Sequence, residues 1–195
     1  MSRSGPILFA RSRAAEAAAR DNTHDAAPAS RTDHRMSTAT LRAWRPDDRE
    51  AVLALLEETF QHTWQPQLHA AAIEAYRRDR VAERYVDAQG AHFLIAECEG
   101  RVAGFVHHEA GFVQALHVTR RQRRRGIARR LMAAAEAAMR AQGLALASLE
   151  TDTFNAESQA LYRALGYREV ARYPDLEWNS GLTTIRYEKA LAQSS

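Results

Sequence analysis

The chain has one cysteine, one lysine and no long hydrophobic segment. The first and the last of these limit the kinds of structure that the chain can form. Cys98 alone cannot form an internal disulfide, which favours a reducing cytoplasm as the location. Because Cys98 follows an apolar run that starts at Phe93, we expect a buried hydrophobe and not a nucleophile. The absence of a membrane-length apolar run predicts that no segment spans a bilayer. The single lysine among many arginines is a compositional bias from which we infer no function.

The length of 195 residues and the hydrophobic fraction of 46% are sufficient for one folded domain. Residues 1–35 differ from the rest, because they have few large apolar side chains and cannot offset their ordering entropy by burial. We predict a disordered N-terminal extension over 1–35 and a folded domain over 36–195. Met36 looks like a natural start, so the extension is consistent with a start codon assigned too early. Four acidic residues in this stretch argue against a transit peptide.

The overall charge argues against nucleic acid as a partner. Six of the 27 basic residues and four of the 24 acidic residues lie in 1–35, which leaves 21 basic and 20 acidic residues in the predicted domain. That balance makes a broad basic face unexpected. Histidines also fail to suggest a metal site: His62 and His69 lie in a connection where a surface or loop role is the better interpretation, with no suitably spaced carboxylate or cysteine.

The predicted elements are those of a mixed α/β domain. Periodic apolar positions predict helices over 46–60, within 67–88, over 129–142 and over 155–165. The predicted strands are 40–44, 92–97, 101–107, 112–118, 144–151 and 182–188. The residues expected to pack inward are Val52, Leu55, Leu56 and Thr59, then Leu68, Ala72, Tyr76 and Tyr85, and finally Ala160, Leu161, Ala164 and Leu165. Since strands 112–118 and 144–151 are joined through a helix, we expect them to pair in parallel.

The most informative stretch joins strand 112–118 to the following helix. It contains an arginine cluster over 120–125, and then Gly126, Ile127 and Ala128. Free backbone N–H groups at a helix start favour an anion, and a glycine lets the backbone approach it. Arginines add fixed charge suited to phosphate oxygens. A solvated face and a nucleic-acid patch are the alternatives, because one glycine is neither the dinucleotide fingerprint nor the P-loop.

A second motif, over 155–167, supports the phosphate interpretation. Asn155 is a good N-cap and Gly166 fits the position that ends a helix. Tyr162 is seven residues after Asn155, so both face nearly the same side of that helix. A tyrosine at such a position is either a packing residue or a site residue, and the shared face with the asparagine favours the site.

The two motifs together resemble the GNAT superfamily of acetyl-CoA-dependent N-acetyltransferases. Its cofactor signature is matched by Arg123, Gly126 and Ala128, although Arg120 replaces a common proline. The later helix motif is matched at Asn155, Ser158, Leu161, Tyr162, Gly166 and Tyr167. The resemblance covers residues 36 to about 191 and implies a GNAT-like acyltransferase fold, a mixed sheet of six to seven strands with helices on both faces.

The resemblance also implies the cofactor, acetyl-CoA without a metal, and its binding residues. These are Leu116, His117 and Val118 along the pantetheine arm, Arg123, Arg124, Arg125, Gly126, Ile127 and Ala128 at the pyrophosphate, and Asn155 and Tyr162 near the thioester. Tyr162 would give its proton or a hydrogen bond to the leaving sulfur. Glu150 resembles the base of members that acetylate protein N-termini, and a structural partner of the arginines is the equal alternative. His117, Asp152 and water are the other base candidates.

The acceptor is open at this point. We expect a primary amine, of a small molecule or a protein, and an acceptor pocket drawn from Trp64, Tyr76, Tyr85, Tyr173, Asp175, Glu177 and Trp178. The alternative function is a non-catalytic acyl-CoA-binding sensor or structural module of the same fold. The expected partners are acetyl-CoA and the amine, with neither nucleic acid nor a membrane, and a homodimer is left open.

Overall fold

A seven-stranded mixed sheet organises the computed structural model, which describes residues 39–175 and 180–192. Its strands are β1 (Thr40–Ala43), β2 (Leu94–Cys98), β3 (Arg101–Glu109), β4 (Phe112–Val118), β5 (Leu146–Asp152), β6 (Arg168–Pro174) and β7 (Thr183–Ala190). The strand order is β1-β2-β3-β4-β5-β7-β6, and only β4 and β5 are parallel among these neighbours. The predicted strands are present, and β6 is an additional one that hydrophobic pattern did not reveal.

Helices cover both faces of the sheet. They are α1 (Arg49–Thr59), α2 (Ala70–Arg78), α3 (Val81–Gln89), α4 (Ile127–Ala141) and α5 (Ala156–Ala164). The helical region predicted within 67–88 is therefore two helices, separated at Arg80, whose φ of 48° is left-handed. A π-helical turn over Phe60–Trp64 continues α1. None of the helices in the described part of the chain is long and apolar enough to cross a membrane.

Two separate hydrophobic clusters hold these layers. One joins α1, α2 and α3 to one face of the sheet, and the other joins α4 and α5 to the opposite face. The inward positions predicted in the first three helices are all buried, and so is Cys98. The prediction for α5 is partly wrong: Ala160 and Ala164 are exposed, whereas Leu161 and Leu165 pack partly against the core. Tyr162, a bulkier side chain, occupies the buried face there.

Strands β4 and β5 pair in parallel, as predicted, but only at their beginnings. Phe112 lies opposite Ser148 and Val113 opposite Leu149, and no further pairs follow. Directly after these pairs, β4 has a bulge against β3, at which Gln114 is the extra residue. Because a bulge bends its strand and increases the local twist, β4 turns away from β5 from this point on. The separation opens a gap in the middle of the sheet.

Candidate active site

The gap between β4 and β5 is a cleft of about 570 Å³, including its space open to solvent. Its walls come from both strands, from the start of α5 and from the π-helical turn. The lining residues are Trp64, Phe112, Val113, Gln114, Leu116, His117, Glu150, Thr151, Asp152, Asn155, Ser158 and Tyr162. Leu116, His117, Glu150, Asn155 and Tyr162 had been predicted as site residues, and the fold brings these five together.

The remaining predicted residues, Val118 and 123–128, lie beyond the cleft, at the turn that leads into α4. Gly126 precedes the helix with a φ of 80°, and a Cβ added there would meet no atom within 4 Å. The first helical hydrogen bond runs from Arg130 N–H to the Gly126 carbonyl at 3.1 Å. Within the described residues, no backbone hydrogen bond is donated from 124–129, so six consecutive N–H groups are available to an anion at this helix start.

The arginine side chains of this turn divide into two kinds. Arg123 folds back, and its guanidinium donates to the Val118 carbonyl at 3.3 Å and lies 3.4 Å from a Glu157 oxygen. Arg124 and Arg125 are exposed and form no ion pair with any part of the chain that the structure describes. Ile127 is buried in the core, so it can contribute only its backbone to a ligand. The turn therefore combines free N–H groups with two arginines that form no ion pair within the described residues.

The edge of β4 supplies a second set of backbone groups, with which β5 does not pair. Past Val113 that edge faces the gap and not β5, so its outward N–H and C=O groups have no strand partner there. An extended chain with amide groups could pair with this edge as a strand would. These unpaired groups, together with the open space at Gly126, fit the pantetheine arm and pyrophosphate of acetyl-CoA.

Tyr162 stands on the α4 and α5 side of the cleft and is 7% exposed. Asn155 fixes the start of its helix, because the amide oxygen accepts a hydrogen bond from Ser158 N–H at 3.2 Å. The Tyr162 hydroxyl forms no hydrogen bond within residues 39–175 and 180–192. Burial raises the pKa of Tyr162 above its usual value of about 10. Its phenol is therefore protonated at neutral pH and can donate a hydrogen bond into the cleft.

Glu150 and Asp152 stand on the opposite side of the cleft. They are two residues apart on β5 and so share one face of the sheet. Glu150 accepts a hydrogen bond from the Tyr173 hydroxyl of β6. Asp152, which is buried, accepts from Trp64 Nε1 at 3.0 Å and lies 3.4 Å from the Thr184 hydroxyl. Glu150 thus has a tyrosine hydroxyl of β6 as a hydrogen-bond donor.

His117 is a poor candidate for the base. It is 6% exposed and its ring packs against Phe105, with centroids 5.2 Å apart. Burial, and then the positive charge of Arg123, lower the pKa of His117 to about 3. An imidazole with so low a pKa is neutral at pH 7 and accepts a proton weakly. Its position suits an uncharged wall of the cleft better than proton transfer.

The predicted acceptor residues separate into four groups. Trp64 lines the cleft and Tyr173 contacts Glu150, as an acceptor role requires. The prediction is wrong for Tyr76 and Tyr85, which are 3% and 0% exposed and pack in the core between the first helices and the sheet. Asp175 is buried and accepts from Ser180 Oγ at 2.6 Å. Glu177 and Trp178 lie outside the described residues.

Sequence reasoning missed Gln114 and Thr151, both of which line the cleft. Gln114 occupies the bulge, and its amide oxygen is buried without a hydrogen-bond partner in the described structure. A bulge has no local sequence signal here, because it depends on the register between β3 and β4. No group of three or more His, Cys, Asp or Glu side chains within the described ranges is arranged to hold a metal ion.

Comparison with known proteins gives a consistent result. The sequence model of the acetyltransferase (GNAT) family matches residues 49–167. A mycothiol acetyltransferase of Segniliparus rotundus is 31% identical over 132 residues, which are 63% of this chain and 48% of that protein. The chain thus spans about half the length of this curated relative.

Solved structures share the fold at low sequence identity. A GCN5-related N-acetyltransferase from Rhodopseudomonas palustris is 21% identical, with a TM-score of 0.66 over 80% of this chain and 98% of that one. The PaiA N-acetyltransferase from Thermoplasma acidophilum, in complex with coenzyme A, is 17% identical, with a TM-score of 0.65 over 78% of this chain and 99% of that one.

Proposed function

Since the chain belongs to the acetyltransferase (GNAT) family, whose members transfer an acyl group from acetyl-CoA, we propose that it acetylates a primary amine by direct attack in a ternary complex. The observation that best supports this proposal is that Tyr162 and Glu150 line the same cleft between β4 and β5, one on each side. A neutral hydrogen-bond donor on one side and a carboxylate on the other are the two groups that amide formation from a thioester needs.

Acetyl-CoA supplies the acetyl group as a thioester. In the proposed complex, backbone groups of 116–118 hold the pantetheine arm, and the free N–H groups of 124–129 hold the pyrophosphate, with Arg124 and Arg125 adding charge. One N–H of the β4 edge faces the thioester carbonyl oxygen, where a fixed dipole stabilises the negative charge that develops. The substrate amine approaches from the side of Glu150 and Trp64.

The proton transfers follow from the charges of the two side chains. Glu150 accepts one proton from the bound ammonium group, which leaves a free amine. The amine nitrogen then bonds to the acetyl carbon as the carbon–sulfur bond breaks, and the second proton of the nitrogen passes to water. Tyr162 donates a hydrogen bond to the departing thiolate. Because burial raises the pKa of Tyr162 and a thiol has a pKa of about 8.5, complete proton transfer to sulfur is unfavourable. Hydrogen-bond stabilisation of the thiolate is therefore the better role for this phenol.

The acceptor side of the cleft suits a cationic amine. Glu150 and Asp152 are both carboxylates, Trp64 adds an aromatic surface, and His117 contributes no charge at neutral pH. An ammonium group is attracted by carboxylates and by aromatic faces alike. We therefore propose an amine that is protonated in solution and loses its proton to Glu150 on binding.

A panel of amines with acetyl-CoA tests this function, with release of the CoA thiol as the readout. Spermidine, L-lysine, glucosamine and an alanine-terminated peptide cover small and protein acceptors. Thiol release that depends on one of these amines is expected. Tight binding of acetyl-CoA by calorimetry with no transfer to any amine would instead favour the non-catalytic sensor.

A further inference from the structure

We propose that Tyr173 is a positioning residue, which holds the carboxylate of Glu150 in the geometry that proton acceptance requires. The observation behind it is the hydrogen bond from the Tyr173 hydroxyl to Glu150 Oε1. Tyr173 lies on β6 and Glu150 on β5, and β7 stands between these two strands in the sheet. The inference rests on the proposed role of Glu150 as the base, and it assigns to β6 a task in that reaction.

The strand register explains why this tyrosine reaches Glu150. Tyr173 lies opposite Thr184 of β7, and Thr184 lies opposite Asp152 of β5. Glu150 is two residues before Asp152 on the same face, so the phenol must extend diagonally across β7. Neighbouring strands are about 4.8 Å apart, which places β5 about 10 Å from β6. A long side chain with a terminal donor meets that requirement, whereas serine or threonine would be too short.

Glu150 must be oriented if it is to act as the base, because glutamate has a long side chain. Its side chain has three torsions and is half-buried at the open cleft. A catalytic group must be held within roughly 0.5 Å of its productive position. Arg186, its cross-strand neighbour on β7, donates to Glu188 at 3.1 Å. The hydrogen bond from Tyr173 restricts the carboxylate without adding a full positive charge.

The neutrality of this donor is consistent with the role of a base. A cation bound to a carboxylate stabilises its charged form strongly and makes it a weaker proton acceptor. A phenol orients the same oxygen without bringing a full positive charge to it. The neighbouring Asp152 also accepts hydrogen bonds from neutral groups, Trp64 Nε1 and the Thr184 hydroxyl.

A double-mutant cycle tests the proposal, with spermidine as the first acceptor and the fastest amine of the panel as the second. Tyr173→Phe removes the donor and keeps the ring. We expect kcat to fall about tenfold, because a displaced catalytic group loses rate, while KM for acetyl-CoA stays within about twofold. In the Glu150→Gln background the same substitution should change kcat less than about twofold, because the group through which it acts is already lost.

Tyr76→Phe is the matched control, since it removes a tyrosine hydroxyl that does not line the cleft. Full activity of Tyr173→Phe, or an equal loss in both backgrounds, would overturn the positioning role alone and leave the base assignment intact. Full activity of Glu150→Gln would reject the base and with it the role of Tyr173. Tyr173→Leu, with melting temperatures of all variants, separates loss of the hydrogen bond from loss of folding.

Discussion

The two sides of the cleft are built in different ways. On the side that we propose for the cofactor, the residues come from one continuous segment, in which β4, the arginine turn and α4 follow one another within thirty residues. On the side that we propose for the acceptor, Trp64 reaches Asp152 across 88 residues and Tyr173 reaches Glu150 across 23. The continuous segment presents backbone groups, which depend on the conformation of the chain and little on the side chains. The acceptor side instead relies on particular side chains that packing brings together.

This difference suggests how the two sides respond to change. The backbone cradle can be damaged only by altering the path of the chain, so few substitutions should affect it, and those severely. The side chains of the acceptor side can be altered singly, and each should have a smaller and more specific effect. We expect the following changes to test this contrast, from the largest effect to the smallest.

Gly126→Val should have the largest effect. Valine is strained at the φ of 80°, and its branched side chain would fill the space that is open above Gly126. We expect acetyl-CoA affinity, measured by calorimetry, to fall at least about a hundredfold, since charged hydrogen bonds to several N–H groups contribute roughly 1.5–3 kcal/mol each.

Gly143→Val is the matched control for this variant. Gly143 follows the other end of α4 with a φ of 77° and equally open space. It should be strained to the same degree and still bind acetyl-CoA. Equal loss of affinity in both variants would show that strain, and not the cradle, is responsible.

Tyr162→Phe should come next, because Tyr162 lies where the two sides meet. The ring is preserved, so acetyl-CoA binding and melting temperature should stay near those of the wild type. We expect kcat to fall by ~10²-fold, at the lower end of the range for proton donors, since the thiolate charge exists mainly in the transition state. An unchanged kcat would mean that the chemical step does not depend on this phenol.

Glu150→Gln should have a moderate effect that depends on pH. Substrate ammonium groups have pKa values of roughly 8 to 10, so the free amine that needs no base becomes abundant as the pH rises. We expect about a tenfold loss of kcat/KM at pH 7 and partial recovery by pH 9. A loss that is constant over this range would assign proton removal to water or to Asp152.

Removal of residues 1–35 should have the smallest effect of these changes. Their composition lacks core-forming side chains. A chain that begins at Met36 is expected to keep its melting temperature and its acetyl-CoA affinity. A decrease of several degrees would show that these residues pack on the domain.

Local sequence was sufficient for much of the cofactor side. Gly126 and Gly143 bracket α4, and Asn155 and Gly166 bracket α5, with the caps that their residue types favour. These features depend on residues within a few positions of one another, so the sequence shows them directly.

Burial on the acceptor side could not be inferred in the same way. Tyr76 and Tyr85 are as aromatic as Trp64, yet they pack in the core while Trp64 lines the cleft. The separation depends on the left-handed Arg80, which divides the predicted helical region, and on the π-helical turn at Phe60–Trp64, which redirects the chain. No particular residue type in the sequence predicts either feature.

Local sequence is enough to predict the strand–turn–helix segment around Gly126, the capped helix that carries Tyr162, and the parallel pairing of β4 with β5. It does not show that this pairing stops after Val113, that a bulge at Gln114 opens the cleft, or that Tyr173 and Trp64 reach the two carboxylates of β5. The difference lies in the distance along the chain over which each property is set. Caps, turns and periodicity are short-range properties of neighbouring residues, whereas strand register and the contacts it permits are set by the packing of the whole sheet.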